Sequence, residues 1–198
     1  MARLHAPTIA ARRIARPGAP KAPSQADLSR LFAAAWRAAS PARRPKPQAF
    51  ERLAADVMLV GDAEIAELNA QHMRHDGPTD VLSFPMGEPD FERKAYFLGE
   101  IVASHETAAR EAAARGLEPR DELARYCVHG FLHLLGYEDG TPARRKAMEA
   151  VQEQALGAWG GTSTTKNSTN FKRQKAKGKP RLRSGQPPAA KDQRLRGV

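Results

Sequence analysis

The segment Cys127–Asp139, read CVHGFLHLLGYED, constrains the fold more than any other stretch of the chain. Leu123, Tyr126, Cys127, Val128, Phe131, Leu132, Leu134 and Leu135 surround most of a helical circumference with apolar side chains. The segment therefore reads as a helix buried on nearly all sides, not a surface helix with one apolar stripe. His129 and His133 lie four residues apart on it. That spacing sets both imidazoles on one face, one turn apart, where they can share a metal ion. Gly136 suits the left-handed residue that stops a helix. The chain then turns and returns Glu138 and Asp139 toward the same end, and either can supply a third ligand. Two histidines and a carboxylate with one open position form a catalytic zinc pattern, not a structural one. A helical histidine pair also occurs in cores without metal; the glycine stop and the acid pair behind it favour the ion. The residue after His129 is Gly130, so the HExxH motif with its general-base glutamate is absent. Cys127 falls on a different face of the helix and reads as a core residue.

A helix buried all round needs neighbours on every side. Ser24–Ala39 carries Leu28, Leu31, Phe32, Ala35 and Trp36 at helical spacing, with Ser24 as N-cap. A strand follows at Ala55–Val60, and Gly61-Asp62 opens a helix through Leu68. Asp80–Phe84 reads as a strand ended by Pro85, and Phe97–Ser104 as another. Helices are expected over His105–Arg115, Pro119–Leu135 and Pro142–Ala155. Strands and helices alternate only in part. The expected class is α+β, a single layer of short mixed strands packed by helices, with the HxxxH helix buried at its centre. Nothing matches GxGxxG or a P-loop. Thr8–Ile14 is a candidate first strand.

Charge divides the chain into three. Residues 1–49 hold ten Lys or Arg against one acid, and residues 50–159 hold eleven against twenty. Residues 160–198 hold eleven against Asp192 alone. We expect a basic N-terminal region over 1–49 with the first strand and helix of the fold, a metal-binding catalytic core over 50–159, and a basic tail over 160–198. The tail has one aromatic, Phe171, and too few aliphatic residues to offset its chain entropy, so it is expected to be disordered. Pro17–Pro23 and Pro41–Pro47 read as loops or linkers. Basic ends beside an acidic body suit contact with a polyanion, RNA or DNA phosphate above all. No stretch reaches the roughly 18 consecutive apolar residues of a membrane span. The first thirty residues lack the apolar run of a secretory signal, and the single cysteine excludes an internal disulfide framework. A reducing cytoplasm is the expected setting.

HGFLHLLGYED followed by Met148 resembles the signature of the YbeY family. Leu68-Asn69 with Pro78–Pro85 (PTDVLSFP) resembles the family's second block, and Leu98–Ile101 (LGEI) its third, all in the family's order. The resemblance implies a single-domain α+β protein that binds one Zn2+ per chain. It implies a single-strand-specific endoribonuclease acting in 16S rRNA 3′-end maturation and ribosome quality control. Its implied partners are rRNA and the small ribosomal subunit. By position, the family's three metal-binding histidines fall on His129, His133 and Asp139, so a carboxylate replaces the third imidazole. The family's arginine, four residues after the LN asparagine, meets Met73 here, and the next residue, Arg74, is the candidate for its catalytic role. No residue stands out as general base; Glu100, Glu138, His72, His75 and His105 are near the matching blocks. Asp80 and Ser83 either line the substrate groove or, with Thr79, bond the backbone before a strand. Met148 is expected to pack beneath the metal site, since a thioether is a poor zinc ligand. The alternative function is a non-catalytic ribosome- or rRNA-binding factor with a structural metal. A metal-dependent peptide hydrolase is disfavoured by the missing HExxH glutamate.

Overall fold

Residues 8–15, 22–44 and 50–159 are described by a computed structural model of the chain. The elements run β1 (Thr8–Ala15), α1 (Gln25–Ala38), a short 3-10 turn (Pro41–Arg43), β2 (Arg52–Val60), α2 (Asp62–Met73), β3 (Val81–Asp90), β4 (Ala95–Ser104), α3 (His105–Arg115), α4 (Pro119–Leu134) and α5 (Pro142–Trp159). The chain divides into two units, Met1–Ser163 and Thr164–Val198. The second unit, and with it the expected disordered tail, lies outside the described residues, as do residues 17–21 and 45–47 of the two proline-rich stretches.

The four strands form one mixed sheet in the order β1-β2-β4-β3. β1 and β2, and β2 and β4, pair in parallel, while β3 runs antiparallel to β4. Alternation along the strands separates two faces. Ile9, Ala11, Leu53, Ala55, Val57, Leu59, Ile101 and Ala103 point into the main core with α1, α4 and α5. Val60, Leu82 and Val102 point the other way and pack beneath Ile65 of α2. The fold is thus the expected α+β, with α4 at its centre. β1 and α1 belong to the same core as the residues after 50.

Several expected boundaries move. Pro85 does not end its strand: β3 continues to Asp90. Proline cannot donate to a ladder, but β3 is an edge strand, and its pairing with β4 shifts register between Pro85 and Glu88. Helix α2 does not stop at Leu68 but runs to Met73 and closes on Arg74, whose φ of 56° is left-handed. The last helix likewise extends past Ala155 to Trp159, whose ring lies 4.8 Å beneath the Arg120 guanidinium. No helix of the described residues is long and apolar enough to cross a membrane.

Helix α4 is held at both ends and along its length. Pro119 opens it, and Asp121 and Glu122 sit in its first turn, where the helix dipole favours negative charge. Phe131 stacks on Phe32 of α1 with ring centroids 4.4 Å apart and planes within 5°. Against the sheet, a Cβ at Gly130 would lie 2.7 Å from Ile101 Cγ2, 3.0 Å from Ser83 Oγ and 3.2 Å from Val81 Cγ2. The helix approaches β3 and β4 this closely because Gly130 has no side chain, and the Ser83 hydroxyl donates to the Gly130 carbonyl at 3.2 Å.

The start of α1 is tied to the start of α4. Ser24 and Asp27 form a reciprocal capping box, with the Asp27 amide donating to Ser24 Oγ at 3.1 Å and the Ser24 amide to Asp27 Oδ2 at 2.9 Å. Arg120 Nη2 donates to the same carboxylate at 2.8 Å. Burial would raise the Asp27 carboxyl, but the Ser24 hydroxyl and amide, Arg120 and Arg30 together hold it far below the usual carboxylate range. A depressed pKa stabilises the fold above the unfolded value of about 3.9 and is lost as pH falls through the folded value. Asp27→Asn should cost about 1–2 kcal/mol at neutral pH. That deficit should shrink once pH falls below the ordinary carboxylate range; urea unfolding of both proteins at two pH values checks this.

Candidate metal centre

The two histidines of α4 meet as the spacing predicts. His129 Nε2 and His133 Nε2 are 3.2 Å apart, with ring centroids 4.8 Å apart and planes 83° to one another. Each ring is fixed from its far side. His133 Nδ1 lies 2.9 Å from the Tyr137 carbonyl, which can only accept, so this nitrogen carries the proton. His129 Nδ1 lies 3.1 Å from Oε1 of Gln152 on α5, again an acceptor. Both protons are therefore drawn to Nδ1, and both Nε2 lone pairs point at one place. Two lone pairs this close repel unless a cation lies between them. Burial lowers the His129 pKa, and His133 lowers it further, against Gln152, Asp80 and Asp139, which raise it. Neutral His129 is the form that binds metal.

The third group is set by the turn after α4. Gly136 takes φ 77°, the left-handed stop, and its amide donates to the His133 carbonyl at 2.8 Å while the Tyr137 amide reaches Leu132 at 3.0 Å. Tyr137 is buried and gripped from the α1 side. Its hydroxyl accepts from the Ser40 amide at 2.9 Å, and Arg43 lies 4.7 Å over its ring while also bonding the Gly136 carbonyl. The two acids beyond it then separate. Glu138 is exposed and forms an ion pair with Arg144. Asp139 joins the histidines, and one ligand atom from each of His129, His133 and Asp139 lies within 4.8 Å of the others. The Asp139 carbonyl is held by Arg145 at 3.1 Å.

This donor set fits a zinc-like ion. Zinc bonds imidazole nitrogen at about 2.0–2.1 Å in tetrahedral geometry, which separates two such nitrogens by about 3.3 Å, close to the 3.2 Å found here. Imidazoles whose other nitrogen donates to a carbonyl are the usual form of metal-binding histidine.

The remaining sequence candidates are not members of the triad. Arg74 is exposed at the C-cap of α2, and among the described residues it is not a hydrogen-bond partner of the triad. His72 packs edge-on to Phe84 at 5.1 Å, and His105 opens α3. Asp80 Oδ1 accepts from the Val81 amide and the Thr79 hydroxyl, both at 3.0 Å, which is the backbone-bonding role. Met148 is buried in the main core, and Cys127 is fully buried with its thiol pushed up to about 12. Gln152 was not singled out by the sequence. Its signal is position: it stands four residues after Met148 on the same buried stripe of α5, a lone amide among apolar neighbours.

The family model described as Endoribonuclease YbeY matches residues 21–160. The chain belongs to the YbeY family. Relatives named Endoribonuclease YbeY include one from Thermobifida fusca, 39% identical over 108 residues that cover 52% of this chain and 70% of the relative. Another, from Salinispora tropica, is 40% identical over 116 residues, covering 54% and 74%. A solution structure of a Thermotoga maritima protein matches with TM-score 0.46 at 26% identity, covering 75% of this chain and 91% of that one. The family motif residues of α4 and the following turn are those that converge in space. Gln152 of α5 is the outer partner that orients one of them. Gln152→Ala should weaken metal binding about 10–100-fold while leaving the fold intact. Chelator competition alongside circular dichroism measures both.

Proposed function

We propose that this YbeY-family chain is a metal-dependent, single-strand-specific endoribonuclease of 16S rRNA 3′-end maturation and ribosome quality control. Zn2+ is its resident ion, held by His129, His133 and Asp139. The observation that carries this is the pair of Nε2 atoms 3.2 Å apart, both locked as acceptors, with the Asp139 carboxylate beside them. The family name supports RNA as the substrate.

An ion bound there supplies Lewis acidity toward a phosphoryl oxygen and a nucleophilic water at neutral pH. The protein's own residues set the conditions. His129 and His133 present neutral nitrogen, and the Tyr137 clamp holds the turn that delivers Asp139. A carboxylate in place of a third imidazole lowers the net charge of the site by one. This weakens its Lewis acidity and moves its preference toward harder ions. Arg74 is proposed to neutralise charge on the scissile phosphate. The basic ends of the chain grip RNA phosphate more widely, with rRNA and the small subunit as partners in the cytoplasm. The exposed position of Arg74, away from the triad's hydrogen bonds, favours the alternative of a non-catalytic rRNA-binding factor with a structural metal.

Metal analysis and RNA assays on the same preparations separate the two. Wild type should carry near-stoichiometric zinc, and Asp139→Ala should lose most of it. His133→Ala should lower RNA cleavage by more than about a hundredfold, beyond the cost of losing an outer partner, while RNA binding persists. Wild type that holds metal and binds RNA without cleaving it establishes the non-catalytic factor.

Removing residues 160–198 takes away eleven Lys or Arg and one acid. RNA affinity should fall and its dependence on salt concentration should flatten, because fewer counterions are released. A binding titration across salt concentrations reads this, and an unchanged slope excludes the tail from the complex.

A further inference from the structure

At the end of the β3–β4 hairpin, Phe91 is 80% exposed. Its ring lies 6.1 Å from that of Phe50, which precedes β2, at an angle of 58°. The two rings, with Glu51, Arg52 and Lys94, line a pocket of about 360 Å³. Core packing does not account for Phe91, since most of its surface stays in water. Turn chemistry does not account for it either. Lys94 closes the turn with φ 49°, a left-handed conformation held without glycine, and its amide donates to the Phe91 carbonyl at 3.4 Å. The neighbouring Arg93 is committed inward to Asp56 and Asp90 and lies over the Phe97 ring. Arg52 and Lys94 are in no ion pair among the described residues and leave the pocket one cation in excess over Glu51.

Aromatic faces flanked by uncommitted cations are the composition that binds unpaired nucleic acid: bases stack on the rings while the cations follow the phosphates. We propose that Phe50 and Phe91, with Arg52 and Lys94, form a stacking subsite for a base of single-stranded RNA. The subsite lies apart from the metal centre, and the proposal rests on RNA being the substrate. Leu134 of α4 packs against Gly99, and β4 runs from there to Ala95 beside the turn. At about 3.3 Å per residue, the four steps from Gly99 to Ala95 span about 13 Å. A single-stranded segment of several nucleotides spans that distance. Because only an unpaired base offers its face, the platform selects single strands over duplex.

The test is fluorescence anisotropy with the full-length, metal-loaded protein, read before cleavage begins. The probes are a labelled single-stranded oligoadenylate and a duplex of the same length. Phe91→Ala and Phe50→Ala should each weaken single-strand binding about tenfold, with duplex binding and metal content unchanged. Phe91→Trp should restore binding, and RNA should quench the added tryptophan's fluorescence. Phe91 is on the surface, so folding is not at risk, and circular dichroism checks it. Wild-type affinity for the single strand in both alanine variants overturns the subsite while the nuclease function stands. Loss confined to ribosomal particles, with bare RNA bound normally, also overturns it and assigns the surface to a protein. Wild type that binds neither probe overturns both the subsite and the RNA substrate.

Discussion

Helix α4 lies against β3 and β4 at a separation that leaves no room for a Cβ at position 130, and much of the molecule follows from that contact. The close approach buries Phe131 against Phe32 and lets Ile101 and Val81 pack under the helix. It also sets the height of His129 and His133 above the sheet. A methyl group at Gly130 would have to displace three β-strand side chains or lift the helix. The glycine between the histidine of one turn and the leucines of the next is thus a packing requirement and not a source of flexibility.

The metal centre is assembled from three directions around that helix. α4 supplies both imidazoles, the turn after it supplies Asp139, and α5 supplies the Gln152 carbonyl that fixes one ring. The segment after α1 contributes indirectly: Ser40 and Arg43 seize Tyr137, whose own carbonyl fixes the other ring. Residues from the N-terminal part of the chain therefore hold the site in shape without touching an ion. Both histidines present their Nε2 atoms unprotonated because each Nδ1 proton has a better place to go.

Much of this was legible in the chain. The apolar circumference of 123–135, the histidine spacing and the Gly136 stop are local properties, and local periodicity reports them directly. The Ser24 cap and the start of α3 at His105 were legible for the same reason. Other features needed partners distant in sequence. Pro85 reads as a strand terminator because its missing N–H matters in a central strand. It is tolerated because β3 lies at the edge, and strand order is not a local property. Gln152 reads as one polar residue of a long helix until α5 is placed against α4.

What the sequence by itself determined is the buried helix, its two histidines on one face, the acids that follow them and the basic character of both ends. These depend on residue type and spacing along a few turns of chain. Residue type and spacing left Glu138 and Asp139 both open as the third ligand; the family resemblance pointed to Asp139 by position, and the tertiary structure sets that acid beside the histidines. Glu138 and Asp139 are adjacent and chemically alike, but Glu138 faces solvent in an exposed ion pair with Arg144, while the Tyr137 anchor fixes the turn that carries Asp139. Only the tertiary structure decided that Phe50 and Phe91, forty-one positions apart, share one exposed pocket, because the pairing of β2, β4 and β3 brings the start of one strand beside the turn between the other two.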